Sequence, residues 1–125
     1  MRNPFTVVYF EIDDTKCPVQ EFLDSLSNKM SAKMYGMISL LEENGNELRA
    51  PYSEHLEDGI FELRAKFGSD ITRVLYFFYI GKKIILTHGF VKKTQKTPRS
   101  EIERAKKYRT MFLEEMERSD ENFSG

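Results

Sequence analysis

IFELRAKF (60–67), DITRVLYFFYI (70–80) and KIILTHGFVKK (83–93) follow one another along the chain, separated only by Gly68-Ser69 and Gly81-Lys82. β-branched and aromatic residues dominate the three segments, as they do in strands. A two-residue link with glycine in first place favours a type II′ hairpin turn. This stretch therefore predicts an antiparallel meander of three strands, and it decides the fold class.

Two-residue turns also determine which residues face one another in the predicted hairpins. Across the first turn the pairs are Phe67 with Asp70, Arg64 with Arg73, and Glu62 with Leu75. One face of the sheet is then apolar, and it carries Phe61, Leu63, Ala65, Thr72, Val74, Tyr76 and Phe78. We expect this face to pack against helices. A three-residue first loop, or a bulge at Gly89, would change these pairings.

The segments that flank the meander supply one further strand and three helices. Residues 5–12 resemble a strand, and residues 46–59 are polar and resemble a connecting loop. Apolar residues recur at helical spacing from Val19 to Leu26 and from Met30 to Leu41, and a last helix begins near Pro98. The order β-α-α-β-β-β-α predicts an α+β fold with an antiparallel sheet, the two N-terminal helices on one face, and a C-terminal helix. We expect a single domain over 1–118 and a flexible acidic tail over 119–125.

The composition limits the class of protein. A chain of 125 residues with 40% hydrophobic residues can bury one core. Its apolar runs are too short to span a membrane, and no signal-peptide pattern is present. A single cysteine excludes an internal disulfide, and Cys and His are too few for a zinc site. We expect a cytoplasmic protein without metal or cofactor.

The net charge of −1 conceals a segregated distribution. Residues 1–58 contain 5 Lys and Arg against 11 Asp and Glu, whereas residues 59–112 contain 13 against 4. The last 13 residues contain 1 against 5. A basic block in a near-neutral chain indicates a local binding site for a polyanion, although a mixture of solvated surface charges gives the same counts.

The polar face of the meander carries the basic residues. Arg64 and Arg73 lie opposite each other there, and like charges in such a pair repel. The pair is tolerated if an anion lies between the two side chains, or if Glu62 compensates. Because guanidinium groups bind phosphate oxygens in a bidentate manner, the face is a candidate site for a phosphate backbone; exposed surface charge is the alternative. The same face includes Lys66, His88, Phe90 and Lys92.

Candidate catalytic groups are few. His55 and His88 are the only imidazoles and hence the natural acid–base candidates. Hydrolase, P-loop and dinucleotide-binding motifs are absent, and no dense carboxylate cluster suggests a magnesium nuclease. RNA can be cleaved without metal, since its own 2′-hydroxyl attacks the adjacent phosphate and the protein need only position and neutralise the reacting group. The composition therefore favours RNA over DNA as a target of cleavage.

Three segments carry a family resemblance: HLEDGIFELR (55–64), ITRVLYFF (71–78) and ILTHGFVKKTQKTPRSEIERAKKY (85–108). Together they resemble the RelE/ParE toxin superfamily, in particular its HigB-like branch, which is related to phage-encoded proteins. The resemblance covers residues 5–110 and implies a RelE-like fold. It also implies the toxin of a type II toxin–antitoxin system, an mRNA endoribonuclease that acts on translating ribosomes. A helix-turn-helix antitoxin of the HigA type would silence it, and operator DNA would be bound only through that antitoxin.

The resemblance also implies site residues. The basic residues of the family correspond to Arg73 and Lys93, and Arg64 corresponds to a phosphate ligand. The hairpin register favours the neighbouring Lys92 instead of Lys93. Both lysines are therefore retained as candidates. With His88 these are the candidate catalytic residues. Candidate RNA contacts are His55, Glu62, Lys66, Phe90, Lys96 and Arg99. The last helix offers only Tyr108 as a proton carrier of the kind some RelE-type enzymes have near the C-terminus, which leaves the general acid and base unassigned. A ParE-like inhibitor of DNA gyrase and a non-catalytic nucleic-acid-binding module are the alternatives.

Overall fold

The computed structural model describes residues 4–91 and 96–124, with side chains described as far as residue 120. Lys92 and Lys93 therefore lie outside the described residues. The described ranges contain five strands and three α-helices, in the order β1 (Thr6–Tyr9), α1 (Pro18–Ser25), α2 (Asn28–Asn44), β2 (Ser53–Glu57), β3 (Ile60–Phe67), β4 (Asp70–Tyr79), β5 (Lys83–Val91) and α3 (Arg99–Ser124). A short 3-10 turn, Gly45–Glu47, follows α2.

The strands form one sheet in the order β1-β5-β4-β3-β2. β1 runs parallel to β5, and the other neighbours are antiparallel. The α+β class is confirmed, but the sheet is mixed where the sequence predicted a purely antiparallel one. The chain between β1 and the meander passes through α1 and α2, so it can bring β1 beside β5 in the parallel direction that a hairpin does not allow.

The sequence prediction missed β2, which lies inside the segment 46–59 that was interpreted as a loop. Its sequence, SEHLE, contains a single large apolar residue and has no clear alternation. A turn links it to β3, and Asp58 and Gly59 both have positive φ angles there, 49° and 77°. Asp-Gly with two positive φ angles is typical of a type I′ hairpin, so a hairpin signal was present in the sequence.

The register of the first predicted hairpin is confirmed, including the pairs Arg64–Arg73 and Glu62–Leu75. The second hairpin differs, because Tyr79 pairs with Lys83 and three residues form the loop. Gly81 and Lys82 both have positive φ angles there, which a type II′ turn does not have. An extra residue in β5, Thr87, then restores the expected alignment, and His88 lies opposite Leu75, on the face where the sequence placed it. The bulge is therefore at Thr87 and not at Gly89.

Helices cover both faces of the sheet. α1 and α2 pack on the apolar face, where their buried residues meet Leu63, Val74 and Tyr76, as the sequence predicted. α3 packs on the other face, and its Phe112 ring lies edge-on to Phe77 and Tyr79 at centroid distances of 5.7 and 5.1 Å.

The C-terminal helix α3 continues to Ser124 and so includes residues 119–124, which the sequence assigned to an acidic tail. Within the described ranges no helix combines the length and apolar character that crossing a bilayer requires.

Candidate nucleic-acid interface

Two adjoining cavities lie on the α3-bearing face, where β2, β3 and β4 meet the start of α3. One has a volume of about 400 Å³ and is lined by Glu54, His55, Leu56, Glu57, Arg64, Lys96, Thr97, Arg99 and Ile102. The other has a volume of about 450 Å³ and is lined by Glu54, Arg64, Ile71, Arg73 and Lys96. Because the cavities share Glu54, Arg64 and Lys96, they form one continuous depression, here called the Arg64 groove.

A buried carboxylate separates the two facing arginines. Glu62 is completely buried, and its Oε2 accepts a 2.7 Å hydrogen bond from Arg64 Nε. Its Oε1 lies 3.6 Å from Arg73 Nη1. Of the two explanations that the sequence left open, compensation by Glu62 is therefore the one the structure supports. One carboxylate between the two guanidinium groups offsets part of their repulsion, and the pair keeps a net positive charge.

Thr97 completes this buried cluster. Its hydroxyl donates to Glu62 Oε1 and lies 3.4 Å from Arg73 Nη1 as an acceptor. Thr97 immediately precedes the turn into α3, so the cluster attaches that end of the helix to β3 and β4. This role of Thr97 could not be predicted from the sequence, because Thr97 and Glu62 are 35 positions apart and no local pattern connects them.

The two arginines differ in their access to solvent. The side chain of Arg73 is 2% exposed, whereas that of Arg64 is 26% exposed. Burial opposes the charge of Arg64, but the hydrogen bond and the charge of Glu62, together with Glu54, raise the pKa of Arg64 overall. Arg64 is therefore a permanently charged group at the groove surface, and Arg73 places its charge at the groove floor.

The outer wall of the groove is an ion-pair cluster between β2 and α3. Glu57 accepts hydrogen bonds from both Arg99 and Lys106, and these bonds lower the pKa of Glu57 to about 2. The next residue, Asp58, accepts from Arg109 at 2.9 Å. Arg99, a predicted RNA contact, thus lies at the groove while its guanidinium is engaged by Glu57 and Glu103.

The two histidines lie in different places, and only His55 lines the groove. The His88 side chain is 2% exposed, and its Nε2 lies 3.2 Å from Glu101 Oε1 on α3. Burial, and secondarily the charge of Arg104, lowers the pKa of His88 to about 4. The imidazole is therefore neutral near pH 7, and it lies beneath α3 and outside the lining of the groove.

His55 contributes to the groove wall, but its ring packs against Phe61 at a centroid distance of 4.9 Å. Phe61 belongs to the opposite face, which bears α1 and α2. Gly59 N donates a 3.2 Å hydrogen bond to His55 Nε2, so the ring is part of the β2–β3 turn. His55 is also exposed, so its ring takes part in the turn and reaches the groove wall.

The remaining predicted contacts are divided between the groove and its surroundings. Lys96 is exposed and lines both cavities. Lys66 lies at the end of β3, where it lines a neighbouring depression of about 330 Å³ that also includes Arg64, Lys33 and Tyr52. Phe90 is half-buried and stacks on His88 at 6.2 Å. The structure thus brings Arg64, Arg73, Glu62, Lys96 and Arg99 together and leaves Lys66, Phe90 and His88 outside the groove lining.

Comparison with known proteins supports a family assignment. Residues 21–110 match the model of a family described as phage-derived protein Gp49-like (DUF891). This is a toxin-like family in the RelE/HigB area. The matched segment covers α2, the whole meander and the first half of α3, and so includes all residues of the Arg64 groove. No curated protein matches the chain significantly.

Proposed function

Because the chain belongs to the Gp49-like family of phage-derived, toxin-like proteins, we propose that it is the toxin of a type II toxin–antitoxin system and that it cleaves mRNA. One observation carries the second part of the proposal: Arg64, Arg73 and Lys96 line a single cavity of about 450 Å³, in which Glu54 is the one acidic lining residue among those described. Three cations around one cavity of this size suit the charge of an RNA phosphate and its neighbouring sugar.

The proposed reaction uses the nucleophile of the substrate. The 2′-hydroxyl attacks the adjacent phosphorus, the new bond to O2′ forms, and the bond to the 5′-oxygen of the next nucleotide breaks. The 2′-hydroxyl loses its proton and the departing 5′-oxygen gains one, so the products are a 2′,3′-cyclic phosphate and a 5′-hydroxyl. Negative charge accumulates on the phosphoryl oxygens in the transition state, where fixed cations are most effective.

The residues have distinct roles in this scheme. Arg64 and Lys96 contact the phosphate, since both reach the groove surface. Buried Arg73 contributes charge from the floor, and Glu62 and Thr97 hold it in position. Lys92 and Lys93 follow β5 in sequence and remain proposed ligands of the reacting phosphate. His88 has no catalytic role in the scheme, because its neutral ring is buried beneath α3.

The partners follow from the same proposal. We infer a cognate helix-turn-helix antitoxin of the HigA type, mRNA presented by the ribosome, and contact with operator DNA only through the antitoxin. These partners place the proposed activity in the cytoplasm.

The activity is tested with purified protein and a labelled mRNA, on ribosomes in a Mg²⁺ buffer and on free mRNA with and without excess EDTA, because ribosomes dissociate when Mg²⁺ is removed. We expect cleavage that survives the chelator and leaves 2′,3′-cyclic phosphate ends. Loss of cleavage in EDTA would contradict the metal-free reaction. Intact RNA together with inhibited DNA supercoiling would instead support the gyrase inhibitor, and intact RNA that is nevertheless bound would support the non-catalytic module.

A matched pair of variants tests the site. Arg64→Ala removes the exposed guanidinium from the groove, whereas Lys29→Ala removes an exposed cation from the first turn of α2, on the other side of the sheet. We expect Arg64→Ala to lower cleavage at least tenfold and Lys29→Ala to leave it unchanged. Equal activities of the two variants would place the RNA site elsewhere.

A further inference from the structure

The carboxylate of Glu54 lies where an anionic ligand of Arg64 would bind. Glu54 belongs to the edge strand β2, and its Oε2 accepts a hydrogen bond from Arg64 Nη2. Both residues line both cavities of the Arg64 groove, as does Lys96. A carboxylate and a phosphate present similar paired oxygen acceptors to a guanidinium group.

The two carboxylates on Arg64 differ in how readily they can be replaced. Glu62 is completely buried and also bonds to Thr97, so releasing it would disrupt the buried cluster. The side chain of Glu54 is 52% exposed, and water can solvate it once it leaves Arg64. An ion pair of this exposure contributes little to stability, because solvent screens it. Glu54 is thus the displaceable partner, and Glu62 is the permanent one.

We propose that Arg64 forms a subsite for a single phosphate group, and that Glu54 occupies this subsite in the ligand-free protein. RNA binding is then an exchange in which a backbone phosphate replaces the Glu54 carboxylate on Arg64 while Glu62 keeps the guanidinium oriented through Nε. The inference rests on the proposed function for the identity of the polyanion, but the phosphate subsite itself is testable without RNA.

The exchange predicts that Glu54 weakens anion binding. Glu54→Gln keeps the shape of the side chain and removes its charge, so phosphate no longer competes with a carboxylate for Arg64. We expect the affinity for phosphate to increase about two- to five-fold, the range expected for losing one exposed ion pair. Glu43→Gln is the matched control, because it makes the same change of net charge at an exposed position on α2.

The experiment uses two probes. Inorganic phosphate is titrated into ¹⁵N-labelled protein, and the Arg64 Nε–Hε signal is followed by NMR. A fluorescent 2′-O-methyl RNA, which lacks the nucleophile, is titrated in a fluorescence anisotropy assay. We expect Glu54→Gln to bind both probes more tightly than the wild type, and Glu43→Gln to resemble the wild type.

A third variant separates a local exchange from a general effect of charge. In an Arg64→Ala background, Glu54→Gln should no longer strengthen binding. The inference is overturned if Glu54→Gln binds phosphate no better than Glu43→Gln, or if its gain persists without Arg64. If Glu54→Gln binds phosphate more tightly but the wild type does not cleave RNA, the phosphate subsite is upheld and the proposed ribonuclease is rejected. If the wild type cleaves RNA but Glu54→Gln does not bind phosphate more tightly, only the subsite is rejected.

Discussion

Glu62 is the residue whose charge we expect to matter most for stability. It is completely buried, and its carboxylate contacts Arg64, Arg73 and Thr97 at once. Glu62→Gln preserves the shape and one acceptor oxygen but leaves the buried Arg73 guanidinium without this negative partner. Removing one member of a buried ion pair costs about 3–5 kcal/mol. Because Gln still accepts a hydrogen bond, we expect a loss of about 3 kcal/mol, a large part of the roughly 5–15 kcal/mol that stabilise a typical domain.

Urea unfolding measures this effect, provided that the m-value stays constant. Glu54→Gln serves as the comparison, because it removes a half-exposed partner of the same cluster and should cost at most about 1 kcal/mol. Arg73→Met combined with Glu62→Gln should recover much of the loss, since the double variant no longer buries the Arg73 charge. Two results would contradict an electrostatic coupling between Glu62 and Arg73. One is a loss of less than about 1 kcal/mol in Glu62→Gln, and the other is that the effects of Glu62→Gln and Arg73→Met on the free energy of unfolding simply add in the double variant.

Three further predictions concern other parts of the fold. Gly89→Ala should lower the free energy of unfolding by about 1–3 kcal/mol, because the added Cβ would lie 2.3 Å from the Phe22 ring and 3.0 Å from a backbone oxygen of β4. Thermal or urea melts measure the loss, and an unchanged melting temperature would contradict the close packing of α1 on β5. The folded-state pKa of Glu57, about 2, lies below the ordinary value of 4.5, so the stabilising contribution of Glu57 is complete above pH 4.5 and is lost as the pH falls towards 2. The difference in unfolding free energy between the wild type and Glu57→Gln should therefore shrink from pH 4.5 to 2. A constant difference would argue against the contacts of Glu57 with α3. The folded-state pKa of His88, about 4, lies below the ordinary value of 6.5, so protonation of the unfolded chain lowers stability as the pH falls from 6.5 to 4. ¹H–¹⁵N NMR should show the imidazole titrating near pH 4, whereas a titration near pH 6.5 would mean that the ring is solvated.

Local patterns were sufficient to predict the meander and its first register. The side-chain period of a strand is two, so the alternation in Ile60–Phe67 and the short turn that follows leave one register that buries the apolar residues. In the second hairpin the predicted turn was wrong, but the residues beyond Thr87 pair as the prediction required. The loop has one residue more than expected, the extra residue Thr87 in β5 compensates for this shift, and His88 reaches the expected face. Nothing in the local sequence distinguishes that route from a simple two-residue turn.

The features of the fold and of the groove that the sequence did not reveal depend on residues far apart in the chain. β2 is polar because it is an edge strand whose side chains pair with α3, so its hydrophobic pattern is weak. The convergence of Arg64 and Arg73 was predictable from the hairpin. The burial of Glu62 and its bond to Thr97 depend on where α3 begins, which strand periodicity does not reveal. The burial of His88 was not predictable for the same reason, because α3 covers the ring.

Photo-crosslinking of a 4-thiouridine RNA to the wild-type protein, followed by mass spectrometry of the adducts, tests most directly whether the Arg64 groove holds RNA. We predict adducts on β2 and on residues 64–73 and 96–102, with a marked loss of yield in Arg64→Ala. Adducts confined to α1 and α2, on the opposite face of the sheet, would contradict the proposed site.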